Sequence, residues 1–244
     1  MKKKLLILPV AASLLICSGC SALFGEQFKS HALNYDYSQM EFVQLEEPEE
    51  GRLSAVIQTS LGDLTVVLYP EYAPNTVDNF VNRAKDGYYD NTNFYAVYEK
   101  SFAATGSSSK DGSSGASNDG NLIPLESTPK LWPFKGALCS YSPTMGYGDS
   151  RYVICNTIEF TDEAVEQLKS FKKGDQQLFP QELIDKWQEK GAIPMMSGVL
   201  TVFGQVVDGM DVFEKIIDAE VDSETQSPKD EIIVKHVEIT EFHK

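Results

Sequence analysis

The sequence predicts a mainly β domain: a closed antiparallel β-barrel with two capping helices and an inserted helical hairpin. Three observations carry this reading. Short strand-like segments bounded by turn residues recur along residues 51–244. Two further segments repeat apolar residues at helical spacing and read as amphipathic caps. Residues 158–197 interrupt the strands with a pattern that is helical throughout.

Taken in order, Leu53 to Thr59 is β-rich, Gly62-Asp63 turns the chain, and Leu64, Val66 and Leu68 alternate with Asp63, Thr65 and Val67. This is a hairpin pattern. Ala73-Pro74-Asn75-Thr76 opens a helix with Asn75 or Thr76 expected as its cap, and Val77, Phe80, Val81 and Ala84 form its apolar face. Residues 92–105, 137–141, 151–156, 199–207 and 231–242 read as strands. The Gly/Ser stretch 106–121 reads as a loop between strands of one sheet, not a linker between domains. Asp208 is expected to cap a second helix whose apolar face is Met210, Phe213, Ile216 and Ile217. In the insertion, Thr161 caps a first helix that Lys172, Lys173 and Gly174 end. Pro180 starts a second, lined by Leu183, Ile184 and Trp187 and stopped by Gly191.

The chain has 244 residues and a formal net charge of −15. Such acidity repels phosphate backbones and argues against nucleic-acid binding. Three histidines and four cysteines, in no metal-ligand pattern, imply no metal site.

Met1-Lys2-Lys3-Lys4 followed by the apolar run Leu5–Ile16 has the form of a secretion signal. Cys17-Ser18-Gly19-Cys20 resembles a bacterial lipobox, with Cys17 where leucine is usual, which implies lipidation of Cys20 after cleavage of residues 1–19. An uncleaved anchor or plain secretion are the alternatives. All three place the domain outside the cytoplasm, and the first implies attachment to the cell membrane through the lipid. Residues 21–50, ending in Glu46-Glu47-Pro48-Glu49-Glu50, read as an acidic tether before the 51–244 domain. Cys139 and Cys155 remain in strand segments, either as a disulfide, which that compartment permits, or as two buried thiols.

Four stretches in order, TSLGDLTVVLYPEYAPNTVDNFVNRAKDGYYDNTNF, FAATG, KGALCSYS with GDSRYVI, and GVLTVFGQVVDGMDVFEKI, resemble the cyclophilins, a barrel-shaped family of peptidyl-prolyl cis-trans isomerases. The resemblance runs from about residue 53 to 243 with 158–197 set aside. It implies proline-containing peptide segments of exported proteins as partners, a role in protein folding, and no cofactor, since the reaction transfers neither electrons nor groups.

The family's active-site pattern is altered here. Ala96 stands at the catalytic arginine, Tyr95 at a histidine, Ala103 at a methionine, Thr105 at a glutamine, Arg151 at a second glutamine, Val153 at a phenylalanine and Leu200 at a histidine. The resemblance implies a substrate site built from Phe94, Tyr95, Phe102, Thr105, Tyr141, Tyr152, Val153 and Leu200. Arg151 is the candidate replacement guanidinium, and Lys100 is a weaker one. The expected function is an isomerase of reduced activity. The alternatives are a peptide-binding chaperone without turnover, or a scaffold that binds a protein partner through 158–197.

Overall fold

The computed structural model describes residues 35–173 and 176–244. The predicted hairpin forms as β1 (Leu53–Thr59) and β2 (Gly62–Leu68), with Ser54 opposite Val67 and Thr59 opposite Gly62. Helix α1 (Pro74–Lys85) follows. The remaining strands of the main sheet are β3 (Thr92–Asn93), β4 (Ala96–Tyr98), β5 (Phe102–Thr105), β6 (Ala137–Ser140), β7 (Tyr152–Cys155), β8 (Thr201–Asp208) and β9 (Ile233–Glu241). All nine join one antiparallel sheet in the order β3-β9-β1-β2-β8-β6-β7-β5-β4.

The sheet is curled, and its ladder is open where the sequence predicts closure. The edge strands β3 and β4 are not hydrogen-bonded to each other. The chain itself joins them through Phe94-Tyr95, whose N–H groups donate outward on either side, to Ile232 O at 2.9 Å and Ala104 O at 3.0 Å. Side-chain alternation then separates two cores. Ile57, Leu64, Val66, Leu138, Tyr152, Ile154 and Phe203 fill one, together with Val77, Phe80 and Ala84 of α1 and Phe213, Ile216 and Ile217 of helix α4 (Met210–Ile217).

Neither predicted cap of these two helices forms. Ala73 precedes α1 and offers no side-chain bond. A distant carboxylate takes that role: Glu126 Oε1 accepts from the Asn75 N–H at 3.0 Å, and Glu126 Oε2 accepts from the Thr76 N–H at 2.9 Å. A carboxylate there also faces the positive end of the helix dipole. At α4 the cap is Gly209, with φ +82°, while Asp208 ends β8. The backbone passes so close to β2 that a Cβ at 209 would lie 2.2 Å from Asp63 O, so no residue with a side chain fits.

The second core lies between Ala137, Cys139, Val153 and Cys155 and the insertion. The predicted helices form as α2 (Asp162–Ser170) and α3 (Gln181–Lys190), joined by a ribbon pairing Lys172–Lys173 with Gln176–Gln177. Thr161 Oγ1 accepts from the Ala164 N–H at 3.2 Å, and Gly191 ends α3. Leu183, Ile184 and Trp187, all fully buried, face the sheet domain.

The tether expectation needs correction over its second half. From residue 35 the chain folds onto the domain. Tyr35 packs edge-on against Trp132 at 5.5 Å and Phe42 against Phe134 at 6.1 Å. The buried Gln44 accepts from the Trp132 N–H at 2.6 Å and donates to Gln205 at 2.9 Å. These residues bury aromatic surface that a solvated spacer leaves in water. Residues 1–34, including Cys20 and the proposed signal, lie outside the described residues. Among the described residues, no helix is long and apolar enough to cross a membrane.

Candidate functional site

Alternation on β4, β5 and β7 decides which predicted site residues meet. Tyr95, Val153 and Leu200 belong to the second core, with Ala96, Phe102 and Tyr141 packed against it. All six thus belong to the core shared with the insertion, Tyr95, Val153 and Leu200 buried in it and Ala96, Phe102 and Tyr141 half-buried at its edge. Phe94 and Tyr152 point to the opposite side, into the core within the curl, where Tyr152 packs against Phe80 and Tyr89. Thr105 is fully buried, and its hydroxyl donates to Asn93 O at 2.9 Å. Phe94, Tyr152 and Thr105 are thus structural residues, a correction to the expected site: successive side chains on a strand cannot all face one groove.

Arg151 is placed beside this face, but its guanidinium is not free. Nε donates to Asp149 Oδ1 at 3.1 Å, Nη2 to Asp149 Oδ2 at 2.5 Å and Nη1 to Gly112 O at 2.8 Å. Arg151 is 5% exposed. Burial alone lowers its pKa, but the Asp149 hydrogen bond and charge outweigh that effect and hold it above its ordinary value. The sequence reading expects a guanidinium available to substrate. Instead, Asp149 satisfies it, in the two-bond geometry that suits arginine and a carboxylate. Lys100, in the β4–β5 turn, is exposed.

The Gly/Ser loop covers the pair. A Cβ at Gly115 would lie 2.5 Å from Arg151 Nε and 2.6 Å from Asp149 Oδ1, and one at Gly112 2.4 Å from the Tyr95 ring. The loop is tied down at several points. Asn93 Nδ2 donates to Lys110 O at 3.1 Å, the Ala116 N–H to Ser150 Oγ at 3.1 Å and the Asn118 N–H to Asn79 Oδ1 at 2.8 Å. At Gly112 and Gly115 the ring and the ion pair leave no room for a side chain. Asp149, Gly112, Gly115 and the helix-capping Glu126 were not legible as site residues. The Asp-Ser-Arg spacing was the one available sign, since it allows the Arg151 N–H to reach Asp149 Oδ1 at 2.8 Å.

Among the described residues the buried Tyr95 hydroxyl has no hydrogen-bond partner, and burial pushes its pKa up. Cys139 and Cys155 are free, buried thiols with sulfurs 3.5 Å apart. The Cys155 pKa rises, first from burial and then from its neighbour Cys139.

Residues 54–239 match the family described as cyclophilin type peptidyl-prolyl cis-trans isomerase/CLD. The chain belongs to the cyclophilin family. A Staphylococcus aureus (strain USA300) protein, named provisionally as a peptidyl-prolyl cis-trans isomerase, is 29% identical over 195 residues, covering 80% of this chain and 95% of that protein. A Staphylococcus epidermidis protein of the same name is 27% identical over the same span. Among solved structures, a Cryptosporidium parvum cyclophilin type peptidyl-prolyl cis-trans isomerase superposes with a TM-score of 0.60 at 22% identity, covering 78% of this chain and 97% of that one. Its structure in the presence of the dipeptide Ala-Pro gives 0.59. These structures share the fold. Within this cyclophilin, Ala96, Tyr95, Val153 and Leu200 still share one core, although each departs from the family pattern.

Proposed function

We propose that the protein binds proline-containing segments of exported proteins on the Tyr95–Phe102–Tyr141–Val153–Leu200 face, and that it isomerises them slowly. It does so outside the cytoplasm, tethered to the membrane through Cys20. Family membership supports the reaction class, and the basic and apolar leader supports the location.

Rotation about an Xaa-Pro bond faces a barrier of about 18–20 kcal/mol from C–N double-bond character. A catalyst has to favour the twisted amide over the planar one. A donor aimed at the pyramidal nitrogen does this, and removing a preorganised donor costs about 10²–10³ in rate. The observation that carries the reading is the state of the two candidate positions. Ala96 has no donor, and the Arg151 guanidinium is spent on Asp149 and Gly112 O. What remains is the edge of an apolar core, where Ala96, Phe102 and Tyr141 are half-buried and Tyr95, Val153 and Leu200 are buried, with little to stabilise the twist.

Exchange spectroscopy by NMR on residues 21–244, with a panel of Xaa-Pro peptides, tests this. Binding with weak catalysis, unchanged in Arg151→Ala that remains folded, is the expected result. Binding without exchange identifies a chaperone-like binder. Loss of exchange in a folded Arg151→Ala overturns the assignment of Arg151 as structural. The scaffold reading is less favoured, because the apolar faces of α2 and α3 are spent on the domain itself.

A further inference from the structure

Of the residues proposed to hold proline, Tyr95 alone carries a buried polar atom that lacks a partner among the described residues. Its side chain is 8% exposed. A buried hydroxyl with no acceptor is costly to keep. Its titratable neighbours are Tyr141, Arg151, Asp149 and Tyr98. Arg151 has no acceptor to offer, and both Asp149 oxygens already accept from Arg151. Burial and then Tyr141 push the Tyr95 pKa up, so the hydroxyl keeps its proton and stays a donor at neutral pH.

The cover over Tyr95 is lightly held. Residues 107–114 of the Gly/Ser loop bond mainly to one another. The Ser108 N–H donates to Ser114 O at 3.2 Å, the Ser113 N–H to Asp111 Oδ1 at 3.0 Å and the Ser114 N–H to Ser109 Oγ at 2.9 Å. Among the described residues, three polar contacts tie this unit to the domain. Asn93 Nδ2 donates to Lys110 O at 3.1 Å, Arg151 Nη1 donates to Gly112 O at 2.8 Å, and Lys110 pairs with Glu231 at 2.7 Å in solvent. The chain enters the unit at Gly106 and leaves it at Gly115, and glycines readily absorb a change of backbone angle.

We propose that Tyr95 is a substrate-binding donor: its hydroxyl takes the carbonyl oxygen of the residue before proline once the 107–114 unit lifts from the ring. This rests on the proline-peptide reading above and names the polar contact of that site. Proline has no N–H, so the polar group a proline segment presents beside its ring is the preceding carbonyl. A planar amide puts more negative charge on that oxygen than a twisted one. A bond to it therefore holds the peptide without favouring rotation, which suits a protein with no donor at Ala96. When the unit lifts, water replaces Gly112 O on Arg151, and Asp149 keeps its two bonds.

Calorimetry with an Ala-Ala-Pro-Ala peptide, and its exchange by NMR at saturation, compare the protein with Tyr95→Phe and Asn93→Ala. Tyr95→Phe keeps the ring. It is expected to weaken binding by about three- to tenfold while the saturated exchange rate stays within about twofold. The same change should raise the melting temperature of the peptide-free protein by about 2–4 °C, because the costly hydroxyl is gone. Asn93→Ala removes the bond to Lys110 O, so the unit lifts more readily and affinity should rise by about two- to tenfold. Unchanged affinity in Tyr95→Phe, or a lower melting temperature, overturns the assignment of the hydroxyl and leaves proline binding standing. Unchanged affinity in a folded Asn93→Ala overturns the lifting of the unit. A wild-type protein that binds no proline peptide overturns this inference together with the reading beneath it.

Discussion

Arg151 donates to both carboxylate oxygens of Asp149, with Nε to Oδ1 at 3.1 Å and Nη2 to Oδ2 at 2.5 Å, and the two side chains are 5% and 2% exposed. A pair buried this deeply is desolvated on both sides, so removing one member strands the other charge. Arg151→Ala and Asp149→Ala should each lower stability by about 3–5 kcal/mol. The double variant Arg151→Met with Asp149→Leu, which replaces the whole pair by apolar side chains, should recover most of it. Urea unfolding of the three variants gives the answer. A cost below about 1 kcal/mol for the single changes would mean that the pair is solvated and Arg151 accessible.

Ala96 leads to the opposite kind of variant, one that gains function. It sits opposite Ala104 at the β4–β5 pairing and packs against the core that holds Val153 and Leu200. A long side chain at 96 therefore starts on the proline face. Ala96→Arg should raise the catalysed exchange rate by roughly 10- to 100-fold, part of the 10²–10³ that a preorganised donor supplies. No gain in a folded variant that still binds peptide would shift the limitation to the remodelled face at Val153 and Leu200.

The loop over Tyr95 offers a paired comparison. Gly112 and Gly120 have nearly the same backbone, φ +76° and +80°, but a Cβ at 112 meets the Tyr95 ring while one at 120 meets nothing within 4 Å. Gly120→Ala should cost about 1 kcal/mol through backbone conformation alone. Gly112→Ala adds overpacking of about 1–3 kcal/mol. The difference between the two in chemical denaturation isolates the ring contact. Limited proteolysis of residues 106–121 should quicken in Gly112→Ala and not in Gly120→Ala.

The sequence made the hairpin, both capping helices and the insertion helices legible because each repeats its own period, 2 or 3.6, over several residues. Residues 35–45 have no such period. Tyr35 and Phe42 pack on Trp132 and Phe134, and Gln44 bonds to both Trp132 and Gln205, all far along the chain, so nothing in their own spacing marks them and they read as spacer. The state of Arg151 was hidden for a related reason. Its register beside the proline face was legible, but its availability depends on a loop whose glycines are 36 and 39 positions earlier in the chain. Glu126 capping a helix from 50 residues away is a third case. Local chemistry predicts local partners, and these partners are remote.

Burial of tyrosines sets an alkaline limit. The Tyr35 pKa is pushed up from 10.0 to about 12, chiefly by burial, with the Ser127 hydrogen bond opposing. Below pH 10 both folded and unfolded chains keep the phenolic proton. Between pH 10 and 12 the unfolded chain loses it and the folded one does not, so stability falls as pH rises. Above that window the loss levels off. Tyr35 alone accounts for up to about 2–3 kcal/mol, and Tyr35→Phe should flatten this part of the slope. Tyr37, Tyr69, Tyr95 and Tyr152 are shifted in the same direction by burial, so the transition steepens with pH. Melting temperature measured from pH 9 upward tests the sign. A midpoint that rises with pH there would contradict it.

The insertion should prove inseparable from the domain. Trp187 is fully buried, 6.0 Å from the Trp132 ring and 5.1 Å from Phe179. Trp132 in turn donates through Nε1 to Glu41 O at 3.1 Å. One aromatic stack thus joins α3, the 131–134 segment and the N-terminal arm, and Cys155 and Met196 continue the same core toward Val153. Removing a ring from its middle leaves a cavity on all three sides. Trp187→Ala should therefore cost about 3–5 kcal/mol and unfold the insertion, the arm and the proline face in a single transition. Tryptophan fluorescence from Trp132 and backbone circular dichroism should then change at the same urea concentration. Two separate midpoints, the first confined to residues 158–197, would mean instead that the hairpin is an independent module, and would restore the scaffold reading.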